Sequence, residues 1–378
     1  MKYGLFMSCA LALALTACDD NPSSDAGADA AMADAGSSDA GPTDAGSTDA
    51  GSDGGTDACD GSCGSDELCV RAVCVEACGA TAEALEAALG TGLSPVANFC
   101  RPAAARAFHE GEVWDVTTAL EGTVTTFTLS RWTPDATGLT GLTEVGTATY
   151  DTGDAATMTF AGSYLAISPD GANVAFGYTD STAGGDVVVR RMGSADLMLD
   201  GNGNFDAAFL DNSTLLVNGL ALGTTDAGQG VYAMDVTASV ASAVNVLSNL
   251  GMFSGSVAAT ADYVIAGGFE DGGFVYAVPR ADLMAAMTTD ALDVVTEGAE
   301  VLDAVDMEVS STFTIVDGRL ITLPFGGPVT SYATTWDGTD LTLTDATVVC
   351  TDGTFVDVID APEDRLLLVH GGGLLLVE

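Results

Sequence analysis

Residues 164–176 read Tyr-Leu-Ala-Ile-Ser-Pro-Asp-Gly-Ala-Asn-Val-Ala-Phe. Ser168-Pro-Asp-Gly171 carries the strongest turn formers, because proline presets φ, aspartate bonds its own backbone and glycine accepts positive φ. On each side stands a short apolar run rich in β-branched and aromatic residues, the pattern of a strand, a tight turn and a second strand. The same plan returns in Asp206-Ala-Ala-Phe-Leu-Asp-Asn-Ser-Thr-Leu-Leu-Val217 and in Ser256-Val-Ala-Ala-Thr-Ala-Asp-Tyr-Val-Ile-Ala-Gly267. A further apolar strand follows each, at residues 186–190, 230–235 and 273–279.

Comparable pairs occupy residues 105–117, 312–323 and 355–370, which makes six units over residues 105–378. The mean period is about 45, the spacing of multi-stranded blades arranged around an axis. An all-β six-bladed β-propeller is therefore expected, with seven blades or a sandwich as the alternatives. The last unit offers only three strands before the chain ends. Residues 93–100, which precede the first unit, are placed to add the fourth and cover an exposed edge. That closure brings Cys100 toward the last blade, near Cys350.

Residues 168–176 resemble the repeat of Pro-Asp and TolB-like propellers, whereas the WD40 signatures are missing as a set. The resemblance implies the fold, and it suggests a periplasmic assembly role as one functional expectation.

Upstream, Lys2 and an uncharged apolar run from Leu5 lead into Leu15-Thr16-Ala17-Cys18. A basic start, a short apolar core and small residues before a cut describe a secretory signal. The box resembles that of bacterial lipoproteins, which implies removal of residues 1–17, lipidation of Cys18 and a membrane anchor at the cell envelope. Asp19 and Asp20 resemble inner-membrane retention signals, yet which membrane holds the anchor stays open.

Residues 18–58 then repeat Asp-Ala-Gly, with ten acids, no base and no aromatic residue after Cys18. Such a segment cannot bury apolar area and is expected to be a disordered stalk. Cys59, Cys63, Cys69, Cys74 and Cys78 crowd the next twenty residues, a spacing that resembles small cysteine-rich modules after acidic stalks. Export makes disulfides the default reading. Two bridges are expected within residues 59–78, with Cys100 joined to Cys78 or to Cys350. Residues 79–104 hold one short helix, capped by Thr81 and stopped at Gly90, and a connector to the propeller at 105–378.

The chain carries 10 basic and 54 acidic groups, a net charge of −44. Its only lysine is Lys2. Nucleic acid is excluded as a partner, since such binding draws on cationic side chains. Phosphate-loop chemistry falls with the missing lysine, and no Gly-x-Ser-x-Gly or His-Glu-x-x-His occurs. Only His109 and His370 are present, and the blade scheme puts them at opposite faces.

One spacing points to a cation. Asp200, Asn202, Asn204 and Asp206 place oxygens at alternate positions, with Asp211 at the twelfth, as in calcium loops of EF-hand and integrin-type propellers. Phe205 stands where such loops carry a turn glycine, so a plain inter-blade turn is the competing reading. The functional expectation is a lipid-anchored binding or scaffold propeller whose partner is an unknown protein or glycan. The rival is a hydrolase or lyase that uses carboxylates in the central funnel.

Overall fold

The computed structural model describes residues 63–378 apart from 72, 136–137, 152–158, 181–184, 202, 221, 223–228, 251–254, 269–273, 301–311, 324–327 and 362–364. The signal, Cys18, the stalk and Cys59 lie outside the described residues, as does Asn202.

A hairpin of β1 (Glu67–Val70) and β2 (Val73–Glu76) opens the described chain. A helix follows at Ala82–Ala88, then β3 (Pro95–Phe99). Six antiparallel sheets come next. Blade one holds β4 (Ala105–His109), β5 (Glu112–Glu121), β6 (Val124–Asp135) and β7 (Gly138–Asp151). Blade two holds β8 (Thr159–Ile167), β9 (Asn173–Asp180), β10 (Gly185–Arg191) and β11 (Leu197–Gly201). Blade three holds β12 (Gly203–Phe209), β13 (Thr214–Leu220), β14 (Gln229–Asp235) and β15 (Ala243–Ser248).

Blade four pairs β16 (Val257–Ala259), β17 (Tyr263–Gly268) and β18 (Phe274–Pro279), and β19 (Leu292–Asp293) runs parallel to β15 before β20 (Ala299–Glu300) returns to β18. Blade five holds β21 (Thr312–Val316), β22 (Arg319–Leu323), β23 (Val329–Trp336) and β24 (Leu341–Cys350). Blade six holds β25 (Phe355–Ala361), β26 (Arg365–His370) and β27 (Gly373–Val377), and β3 supplies its outer strand in the register Leu374 to Phe99, Leu375 to Asn98 and Leu376 to Ala97. The closing strand is thus the segment the sequence offered for it.

Packing shows why the ring closes. Six apolar clusters fill the six junctions between neighbouring blades, for example Leu129, Phe127, Phe176 and Tyr178 between blades one and two. Phe99, Trp132, Leu374 and Leu376 join blade six to blade one. Burial of each such side chain contributes about 1.5–3 kcal/mol, so stability is spread around the ring rather than held in one core.

Polar staples link neighbouring blades. The Ser168 hydroxyl donates to Asp170 at 2.7 Å, and the Ala172 N–H donates to the same carboxylate oxygen at 3.0 Å, while Gly171 takes φ +67°. The Asp170 N–H then donates to Asn212 Oδ1 at 3.0 Å, which ties this turn to its counterpart in blade three.

Two departures from the sequence reading have local causes, and one open pairing is decided. Thr81 does cap its helix, accepting from the Ala84 N–H at 3.1 Å. Gly90, however, is no left-handed stop. A Cβ there would stand 2.0 Å from the Val348 carbonyl, so the glycine is required by close approach to β24. Of the two partners expected for Cys100, Cys78 is the one it takes, and Cys350 is a buried free cysteine in a β-bridge with Leu89. Burial pushes the free Cys350 thiol up to about 12. Finally, Arg280–Ala286 forms a helix inside blade four that burial of Leu283 and Ala286 secures. Its alanine-rich composition favours helix, and the surrounding β pattern hid it.

In the small module Cys63 is joined to Cys74, and Cys69 is disulfide-bonded as well. Leu68, Val70, Ala77, Leu85 and Ala88 pack with the core between blades five and six.

Candidate functional site in the central channel

The inner strands of the six blades surround a cavity of about 640 Å³. Such strands ordinarily read as apolar runs. Here Arg106 on β4, Asp206 on β12, and Asp357 with Asp360 on β25 interrupt them, and His370 at the end of β26 joins the wall.

Two carboxylates are aimed by the same device. The pairing of β12 with β13 slips between Asn204 and Asp206, and that of β25 with β26 slips between Phe355 and Asp357. A bulge of this kind re-aims the side chain at the irregular position. In a ring of six, blades three and six stand opposite, so Asp206 and Asp357 meet the channel from facing walls, and the charge of Asp357 raises the proton affinity of Asp206.

Their surroundings differ. Asp206 accepts from the Ala207 N–H at 2.8 Å and the Val257 N–H at 2.9 Å. Neither partner carries a full charge. Removal from water pushes its carboxyl up to about 7 against those two donors, and the charge of Asp357 adds to the rise. Asp357 accepts from the Val358 N–H at 2.8 Å, and burial holds it at about 6 while the Arg106 guanidinium pulls it back. Tyr164, beside Asp206, is driven above its ordinary range by burial and by that carboxylate.

Arg106 is 7% exposed and donates through one terminal nitrogen to the Arg101 carbonyl at 2.5 Å, whereas its Nε has no hydrogen-bond partner. Burial lowers its pKa, and Asp115 and Asp357 oppose that fall. Asp115 is itself answered by Arg101 and by the Trp132 N–H at 2.8 Å. His370 is 3% exposed; its Nε2 faces Asn98 Oδ1 at 3.1 Å, and its Nδ1 has no partner. Asn98 donates through its amide nitrogen to the Glu76 carbonyl at 2.8 Å, which leaves Oδ1 to accept. The Nε2–H tautomer follows, with a bare lone pair on Nδ1. Burial and the neighbouring Arg106 push His370 down to about 4.

The structure separates the residues of the expected cation loop. Asp200 is exposed on β11, the outer strand of blade two. Asn204 is buried and fully engaged: it accepts from the Tyr164 hydroxyl at 2.9 Å and donates to the carbonyls of Tyr178 and Asp186 at 3.2 and 3.3 Å. Asp206 belongs to the channel, and Asp211 accepts from the Ser213 and Thr214 N–H groups, each at 2.8 Å. These side chains therefore serve an inter-blade staple, a channel wall and a turn. Asn202 lies outside the described residues. Among the described residues no group of three or more His, Cys, Asp or Glu side chains could hold a metal ion.

The two histidines are likewise apart. His109 ends β4 against Gly171 of blade two, and His370 lines the channel. Arg106, Asp357 and His370 were not singled out as a set by the sequence, although an acid within an apolar inner strand, Phe205-Asp206-Ala207 and Val356-Asp357-Val358, is the signal that marks the channel.

No protein-family model matches the chain, and no curated protein matches it in sequence. Solved structures do match in fold. TolB from Acinetobacter baumannii is 10% identical with a TM-score of 0.38, over 66% of this chain and 59% of that one. AofleA from Arthrobotrys oligospora is 8% identical with a TM-score of 0.45, over 75% and 84%. An acylaminoacyl peptidase from Pyrococcus horikoshii is 13% identical with a TM-score of 0.35, over 72% of this chain and 49% of that one. At such identities the likeness is to the propeller alone and carries nothing about activity or partner.

Proposed function

We propose that this chain is a lipid-anchored propeller of the cell envelope that binds a ligand in its central channel without transforming it. The observation that carries the reading is the channel wall itself. Arg106 Nε and His370 Nδ1 are buried at the cavity without hydrogen-bond partners. A buried polar atom left unmade costs about 1–3 kcal/mol, which an arriving ligand relieves. The lipoprotein box at Cys18 and the acidic stalk support presentation at a distance from a membrane.

The test has two arms. Cys18→Ala is expected to release the protein from membranes, and unchanged attachment counts against the anchor. Saturable binding of an envelope small-molecule extract, weakened by Arg106→Met and His370→Phe, supports a binding channel. Binding that is indifferent to both substitutions contradicts it.

A second reading rests on the facing carboxylates. Asp206 at about 7 and Asp357 at about 6 are poised for proton transfer near neutral pH, as a hydrolase or lyase acting through carboxylates requires. Turnover of ester, peptide or glycoside substrates that disappears in Asp206→Ala would replace the binding function by this one.

A further inference from the structure

The acids in and beside the channel differ in what answers their charge. Asp115 is paired with Arg101, and Asp357 lies under the influence of Arg106. Asp206, on the far wall, is met by two backbone N–H groups and by no cation among the described residues. Asp360 adds a further acid to the wall, three residues along β25 from Asp357. The near wall includes one unmatched donor, Arg106 Nε, and one unmatched lone pair, His370 Nδ1. A hydroxyl satisfies both, since it accepts through oxygen and donates through hydrogen. A cation is what the far wall lacks. A bare metal ion fits poorly, because no three ligating side chains converge.

We infer that the central channel takes an amino alcohol of net positive charge, its ammonium on Asp206 and its hydroxyl between Arg106 and His370. The inference rests on the binding reading above and specifies its ligand class. The ammonium donates to a carboxylate oxygen of Asp206 that already accepts from backbone, which a carboxylate can do because each oxygen has two lone pairs. The hydroxyl completes the two orphaned groups of the near wall. Amino sugars and free ethanolamine share this chemistry.

The test titrates the full chain, disulfides intact, with aminopentanol, pentanediol and pentylamine by calorimetry. At pH 8 aminopentanol is expected to bind at least about tenfold more tightly than pentanediol, the scale of a hydrogen bond to a charged group. Asp206→Asn removes that preference, and Asp357→Asn keeps it. Where Asp206→Asn does not fold, the wild-type protein decides by pH. The groups facing Asp206 are Tyr164 of blade two, the Val257 N–H of blade four, and Asp357, Arg106 and His370 across the channel. Of these, Asp206 and Asp357 titrate near neutrality. The cation preference should therefore fall several-fold from pH 8 to pH 6 as Asp206 takes up its proton.

Glucosamine and ethanolamine, run as separate arms, distinguish an amino sugar from the amino alcohol released from a lipid headgroup, and binding of either that is lost in Asp206→Asn supports the assignment. Equal affinity for aminopentanol and pentanediol overturns it, as does a cation preference that survives in Asp206→Asn. Those results leave a binding channel standing. That broader reading falls only if envelope ligands bind indifferently to Arg106 and His370.

Discussion

Asp206 shows how a single residue links position to pH. Its folded value of about 7 stands above the ordinary 3.8, and Asp357 at about 6 does the same. Between pH 4 and pH 7 the folded chain holds protons that the unfolded chain has released, so these two acids lose stability as pH rises through that window. His370 runs the other way, because its folded value of about 4 lies below 6.5 and the unfolded chain protonates first as pH falls. Two acids outweigh one histidine, and the channel favours mildly acid conditions. Asp206→Asn is expected to raise stability at pH 8 by about 1–2 kcal/mol, the raised pKa discounted for its opening to the channel and for one lost backbone bond. At pH 4.5 the effect should fall within about 0.5 kcal/mol, as urea denaturation at the two pH values would read. Sequence alone reads Asp206 as a loop oxygen because acids and amides alternate there, whereas the structure sets it on β12 at the channel wall. The strand boundary at Gly203 and the bulge at Phe205 depend on pairing with β13, which no local pattern displays.

At the scale of elements, strand, turn and strand were legible because turn chemistry is local. Ser168-Pro-Asp-Gly171 closes β8 on β9 through bonds within six residues. The long β6–β7 hairpin, the helix Arg280–Ala286 and the parallel step of β19 onto β15 were not legible, since each is fixed by what it packs against. The junction of blades two and three illustrates the cost of such fits. Gly177 leaves the space that the Asn204 amide fills, and an added Cβ would stand 1.7 Å from Asn204 Oδ1 and 2.4 Å from the Tyr164 hydroxyl. Gly177→Ala should therefore displace Asn204 and free its bonds to Tyr178 and Asp186. A loss of about 2–3 kcal/mol is expected from overpacking and broken buried bonds, measurable as a lower denaturation midpoint at unchanged slope.

For the whole molecule, the period and the missing fourth strand of the last unit announced a ring closed by its own beginning. What the period could not show is how that closing strand is tied. Cys78–Cys100 fastens the end of β3 across a separation of 22 residues, and a loop of that length contributes about 3 kcal/mol. Cys78→Ser with Cys100→Ser is expected to lower stability by about that amount and to expose the β27 edge, seen as faster amide exchange at Leu374–Val377. On the proposed function, the uncompensated carboxylate of the channel is the feature that meets a ligand. The most direct measurement is the titration of Asp206 in the ligand-free chain, by carboxylate infrared or NMR signals assigned through their loss in Asp206→Asn. A midpoint near 7, moving downward when aminopentanol is added, is the predicted result. A midpoint near the ordinary 3.8, unmoved by aminopentanol, would contradict a channel built around an unanswered carboxylate.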